Sequence, residues 1–269
     1  MIRQPIVILV GHVDHGKSSI LEHIKGISIT KGEAGGITQT LKSYNVPLLA
    51  IQHLCGDLLQ TLNQNLTIPG LLFLDSPGHA AFTNMRKRGG NLADIAILVI
   101  DAKEGLKEQT LESIEILKQY KTPFIIALNK VDMLQGWRSS ESALLQNIKG
   151  QSDTVQQELD NQLYTLVGKL NEQDINAERF DRVDDYTKQV AIIPTSTKTG
   201  EGLPELLMVL TGLAQKYLEQ SLQIETKGPG KGTILEVTEE EGKGTCFTIR
   251  LSIWTDSPDA DLPAVARIR

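Results

Sequence analysis

The chain has 269 residues, with 27 Lys and Arg against 33 Asp and Glu, for a net charge of −6. That length holds one large domain, or one domain and a smaller companion, and the acidic balance excludes an overall basic field that would draw the chain to nucleic acid or a membrane surface. Two cysteines, Cys55 and Cys246, argue against a disulfide framework. With no signal pattern and no bilayer-length apolar run, the expected location is the cytoplasm, without a membrane partner.

In chain order, Ile6 to Val10 is a short apolar run and reads as a buried strand. It leads into Gly11-His12-Val13-Asp14-His15-Gly16-Lys17-Ser18, and Ser19 to Ile24 reads as a helix start. Strand, Gly-x-x-x-x-Gly-Lys-Ser, helix is the context of a phosphate-binding P-loop. Backbone N–H groups of Asp14, His15, Gly16 and the first helical residues, Ser19 included, are expected to face phosphate oxygens. Lys17 supplies positive charge for the outer phosphates, and the Ser18 hydroxyl suits Mg²⁺. Lys31 to Thr38 is glycine-rich and reads as a mobile loop, in which Thr38 is placed to complete Mg²⁺ coordination when GTP is bound.

Tyr44 to Leu48 contains a proline and is expected as an edge strand. Leu49, Ile51, Leu54, Leu58, Leu59 and Leu62 lie close to helical spacing and suggest an amphipathic insert. Leu71 to Leu74 reads as a buried strand that ends at Asp75-Ser76-Pro77-Gly78-His79. Asp75 there suits Mg²⁺ held through a water, Gly78 an N–H to the γ-phosphate, and His79 the positioning of an attacking water. The basic run Arg86-Lys87-Arg88 reads either as a solvated helix face or as a contact for phosphates of a nucleic acid.

Asp94 to Asp101 is a further strand, and Gln109 to Tyr120 a helix with apolar residues at 111, 114, 117 and 120. The strand Phe124–Leu128 precedes Asn129-Lys130-Val131-Asp132. A carboxylate at Asp132 accepts both the ring N1–H and the exocyclic amino group of guanine, donors that adenine lacks, so GTP is favoured over ATP. Asn129 and Lys130 are expected to support this loop and cover the base. Residues 133–189 break the alternation and read as a helical insertion, with a helix from Val155 to Leu170, rather than as a separate domain. The strand Val190–Ile193 is followed by Pro194-Thr195-Ser196-Thr197-Lys198-Thr199-Gly200, where Ser196, Thr197 and the Lys198 stem are candidates to close the base pocket. Leu203 to Tyr217 reads as a helix with Pro204 at its start.

Apolar strands alternating with helices predict an α/β fold, a P-loop GTPase domain with a mostly parallel sheet and helices on both faces. The expected division is a GTP-binding domain at 1–226, a linker at 227–232, and an incomplete β-barrel at 233–269 carrying two strands.

With these motifs assembled, the chain resembles the translational GTPases. Within them it is most similar to archaeal and eukaryotic initiation factor five-B, the relative of bacterial initiation factor two. Further stretches that carry the resemblance are Gly35-Gly36-Ile37-Thr38-Gln39, Leu54-Cys55-Gly56-Asp57, Phe82 to Gly90, Gly136-Trp137-Arg138, Glu178 to Val183 and Lys231 to Val237. It covers about residues 2–244. It implies a factor that hydrolyses GTP under ribosomal stimulation and promotes joining of the two ribosomal subunits, with contacts to ribosomal RNA. It implies Lys17 on phosphates, Ser18, Thr38 and Asp75 on Mg²⁺, His79 as catalytic histidine, and a monovalent cation held beside the phosphates by Asp14. Contact with initiator tRNA belongs to a distant domain that is not among these residues. Ser76 stands where Thr is common and Thr197 where Ala is common.

Two other classes stay open. One is a nucleotide-gated ribosome-binding module with negligible hydrolysis, against which Thr38 and His79 both argue. The other is a different translational GTPase, such as a tRNA-carrying elongation factor, against which Phe82–Gly90 and Gly136–Arg138 argue.

Overall fold

The strand Ile95–Asp101 (β4) is buried at all seven positions, as only a strand covered on both faces can be. It is the middle strand of a seven-stranded sheet of order β2-β3-β1-β4-β5-β7-β6. The other strands are β1 (Ile6–Gly11), β2 (Lys42–Pro47), β3 (Gly70–Asp75), β5 (Phe124–Asn129), β6 (Ala177–Arg179) and β7 (Val190–Pro194). All pair in parallel except β2, which runs antiparallel to β3 at one edge. The structure is a computed structural model that describes residues 2–29, 42–62, 66–75, 93–223, 232–240 and 244–251. The expected loop at 31–38 and the residues from Ser76 to Arg88 lie outside that set.

The helices are α1 (Lys17–Ile29), α2 (Leu48–Cys55), α3 (Glu108–Tyr120), α4 (Leu144–Gly150), α5 (Asp153–Asn171) and α6 (Leu203–Leu213). The fold class is the α/β class expected, with Pro47 at the end of an edge strand as its missing N–H requires. β3 and β4 flank β1 on opposite sides, so the crevice beyond the carboxyl end of β1 is where a doubly wound sheet binds ligands. The register is level there: Gly11 lies beside Val99, Asp101 beside Asn129, and Leu128 beside Pro194. Among the described residues, no helix is long and apolar enough to cross a membrane.

Four details differ from the sequence expectation. In α3 the buried face is Thr110, Ser113, Ile114 and Leu117, with Ile116, while Leu111 and Tyr120 sit at its margins. Two small hydroxyl residues face inward because Ser113 Oγ satisfies itself on Gln109 O at 2.7 Å. The 49–62 insert is two pieces, α2 and a 3₁₀ helix at Gly56–Leu62, and Leu49 is 77% exposed rather than part of its apolar stripe. Residues 133–189 form more than a helical insertion, because β6 adds the seventh strand in parallel to β7. That three-residue strand, Ala-Glu-Arg, carries no apolar run. Its Arg179 is held by Asp181, with Nε to Oδ1 at 2.5 Å and the second nitrogen to Oδ2 at 2.9 Å.

The fourth detail is the end of the last helix. α6 passes into a π-helical turn at Ala214–Leu218. That turn brings Gln215 inward, where Oε1 accepts the N–H groups of Thr67 (2.7 Å) and Ile68 (3.1 Å). Beyond it, β8 (Gly232–Glu240) and β9 (Gly244–Leu251) make an antiparallel pair, the two strands expected there. The rest of the expected linker and barrel, 227–231, 241–243 and 252–269, lies outside the described residues.

Candidate nucleotide-binding site

The loop after β1 turns on two residues with positive φ, Asp14 at 64° and Gly16 at 97°. A Cβ on Gly16 would lie 2.2 Å from Asn129 Nδ2, so only glycine lets the two segments close on each other. Ile20 N–H donates to Gly16 O at 3.0 Å and opens the helical ladder of α1. The amides of that first turn precede the ladder and point back towards the loop, where they make an anion site. The Lys17 ammonium donates to Gly11 O at 3.0 Å and His12 O at 2.5 Å, which sets its head over the loop. Asp14, Ser18 and Ser19 are exposed on the same turn.

His15 is different. Its ring is 1% exposed and faces inward, with Nδ1 on Val99 O at 3.3 Å. A carbonyl can only accept, so Nδ1 carries the hydrogen. Burial pushes the His15 ring below its ordinary value against the opposing pull of Val99 O and the nearby carboxylates, which favours the neutral form. What His15 offers the loop is its backbone.

Asn129 joins the loops. It is fully buried at the end of β5, and its Nδ2 donates to His15 O at 2.9 Å. Its Oδ1 accepts Thr197 N–H at 3.3 Å and the Thr195 hydroxyl at 3.5 Å. One amide therefore fastens the P-loop to the loop after β7. The Thr197 N–H is committed to this scaffold. Lys198 is exposed.

Lys130 has a left-handed backbone at φ 66° and sends its ammonium 2.8 Å from Asp101 Oδ2. Asp101, at the end of β4, also accepts Lys103 N–H at 2.8 Å and Glu104 N–H at 3.2 Å. Burial alone would raise the Asp101 carboxyl, but Lys130 and these two amides outweigh it and hold it below the usual carboxylate range. Sequence reasoning named Asp101 only as a strand end. Its signal was an acidic residue closing a wholly apolar strand, level in register with Asn129.

Asp132 sits in the turn after Asn129, half-buried, and its Oδ1 accepts the Ser196 hydroxyl at 2.6 Å. Thr199 N–H donates to that same hydroxyl oxygen at 3.2 Å. The described part of the site thus brings together residues 14–19, 101, 129–132 and 195–199. Thr38, Gly78 and His79 lie outside the described residues. Asp75 closes β3, which pairs with β1.

The sequence profile of the elongation factor Tu GTP binding domain matches residues 3–216. The chain belongs to this family. A probable translation initiation factor IF-2 of Methanopyrus kandleri is 56% identical over 244 residues, 90% of this chain and 41% of that protein. A probable translation initiation factor IF-2 of Thermococcus sibiricus is 53% identical over 92% of this chain and 42% of its own length. The crystal structure of GDP-bound aIF5B from Aeropyrum pernix superposes with a TM-score of 0.82 at 45% identity, covering 93% of this chain and 42% of that one. The chain thus spans about two fifths of the length of the curated relatives it matches. The resemblance to initiation factor five-B read from the motifs is met by these relatives.

As an elongation factor Tu type GTP binding domain, the chain has a site whose donors fit a guanine nucleotide. Glycine opens the loop, an ammonium stands over it, and the Asp132 carboxylate is held by the Ser196 hydroxyl across the same crevice. The Ser18 hydroxyl, exposed at the head of α1, is a hard oxygen donor of the kind Mg²⁺ selects.

Proposed function

We propose that this chain binds GTP and Mg²⁺ at the crevice beyond β1, β4, β5 and β7 and hydrolyses GTP, as the nucleotide-binding part of a cytoplasmic translation initiation factor that promotes joining of the ribosomal subunits. The observation that carries the reading is the amide of Asn129, which ties the P-loop to the loop bearing Ser196 while its neighbour Asp132 presents a carboxylate for the base. The translation initiation factors among the relatives support the same reading.

The division of labour follows from the side chains. Lys17 and the first-turn amides of α1, with Gly78 N–H, neutralise and orient the phosphates. Ser18, Thr38 and Asp75 would hold Mg²⁺, which supplies charge neutralisation on the β- and γ-oxygens when bound. Asp14 would hold a monovalent cation beside them. Asp132 selects guanine, with Ser196, Thr197 and Lys198 closing the pocket. His79 orients the attacking water, and the ribosome supplies the alignment that isolated loops lack.

Single-turnover GTP hydrolysis by the parent chain and by His79→Ala, with and without assembled ribosomes, tests this. Stimulation by ribosomes that is lost in the variant, with GTP binding kept, is the expected result. Stimulation unchanged in the variant removes His79 from the chemistry. Tight GTP binding without stimulation, repeated with a chain as long as the relatives, would identify a nucleotide-gated binding module instead.

A further inference from the structure

We propose that Glu201 is a positioning residue for guanine selection, and that the segment 137–151 is through it a working part of the base pocket. The inference rests on the reading of Asp132 as the base-selecting carboxylate.

Glu201 follows the loop after β7 and is 7% exposed. Its backbone carbonyl accepts Ser196 N–H at 2.9 Å and so closes the loop on itself. Its carboxylate faces four donors. Oε2 accepts the Thr199 hydroxyl at 2.6 Å and Trp137 Nε1–H at 3.3 Å. Oε1 accepts Ser140 N–H at 3.2 Å and the amide of Asn147. None of the four is a cation. A buried carboxylate without a counter-charge is tolerable only while its hydrogen bonds are made, so these donors are held as a set.

Three of the four lie in the segment 137–151. That segment is itself braced by Gln151, whose Oε1 accepts Arg138 N–H at 2.9 Å. Its Nε2 donates to Arg138 O and to Asn147 Oδ1, both at 2.7 Å. The fourth donor, Thr199, belongs to the base loop. Its own N–H donates to Ser196 Oγ, the atom that donates in turn to Asp132. A continuous path therefore runs from Trp137 and Asn147 through Glu201 and Thr199 to the carboxylate that reads the base. Loosening Glu201 lets Ser196 turn away and leaves Asp132 free to rotate.

The test is a selectivity measurement, because a purely structural clamp changes stability without changing base preference. Affinity for GDP, for inosine diphosphate (which lacks the 2-amino group) and for ADP is measured for the parent chain and for Glu201→Gln, Thr199→Val and Trp137→Phe, with the melting temperature of each. Glu201→Gln places an N–H₂ against donors and is expected to lower the preference for GDP over inosine diphosphate about tenfold, the scale of a hydrogen bond to a charged group. Thr199→Val removes one donor with little change of shape, Trp137→Phe removes another together with part of the ring, and each is expected to lower it about threefold. An unchanged preference in both of these, whatever their melting temperatures, overturns the proposal even if Glu201→Gln does not fold. A parent chain that prefers GDP neither to inosine diphosphate nor to ADP overturns the guanine-site reading first, and this inference with it.

Discussion

At the scale of single residues, the site depends on buried polar groups that join distant loops. Asn129 shows this most clearly, with Nδ2 on His15 O and Oδ1 under Thr197 N–H in a fully buried place. Asn129→Ala leaves both partners without a bond and is expected to cost about 2–3 kcal/mol of stability and to speed GDP release. Asn129→Asp is expected to be worse, because a carboxylate cannot donate to His15 O and its charge is buried. Urea denaturation and the release of a fluorescent GDP analogue check both. A ranking in which Asp is milder than Ala would mean that the bond to His15 O contributes little. The motif Asn-Lys-x-Asp was legible in the chain. That its asparagine holds two loops, and that its lysine is steered by Asp101, was not, because those partners lie 29 to 114 residues away by number.

At the scale of elements, the start of α6 acts as a bracket. Glu201, two residues ahead of the helix, and Glu205, in its first turn, are both buried, and both accept from the segment ahead of or opening α4. Glu205 Oε1 accepts Leu144 N–H at 2.7 Å, an orphan donor of a helix N-terminus. Burial pushes the Glu205 carboxyl above its ordinary value, and the two backbone N–H groups beside it offset that only in part. A carboxyl whose folded pKa is raised takes up a proton more readily in the folded state than in the unfolded one. Its favourable contribution is complete below the unfolded value and is lost as pH rises through the folded one. Glu205→Gln keeps the acceptor and does not titrate, so its stability relative to the parent is expected to increase with pH between pH 4 and pH 8. Chemical denaturation at both pH values decides, and a gap independent of pH would show that the Glu205 carboxyl titrates alike in both states. The same carboxylate lies near Cys55, whose thiol burial drives up to about 12. The strand β6 belongs to this scale too. Its three residues carry no periodicity, so only the pairing of Ala177 with Val190 reveals it.

At the scale of the whole molecule, the site is assembled from loops at the ends of β1, β4, β5 and β7, spread from residue 11 to residue 201. None of these loops has its geometry without the sheet that sets them level. Nucleotide bound at these loops therefore stabilises the folded sheet as a whole. GDP at about a hundredfold excess over its dissociation constant is expected to add about 2.7 kcal/mol to the stability of the chain, while ADP at the same concentration adds nothing measurable. Equilibrium unfolding with each nucleotide measures this directly. Equal stabilisation by both would show that the carboxylate of Asp132 does not discriminate between bases.

The apolar strands, the phosphate loop and the Asn-Lys-x-Asp motif were determined by the sequence itself, because each depends on local pattern: an apolar run long enough for one strand, a glycine where φ is positive, a carboxylate after a strand end. The edge strand β2 followed from one proline. What tertiary structure decided was every pairing between distant polar groups. Asp101 with Lys130, Asn129 with His15, and Glu201 with Trp137, Ser140, Asn147 and Thr199 are pairings that no motif in the chain announces. A buried polar side chain is tolerable only with its partner, and the partner is supplied by the fold.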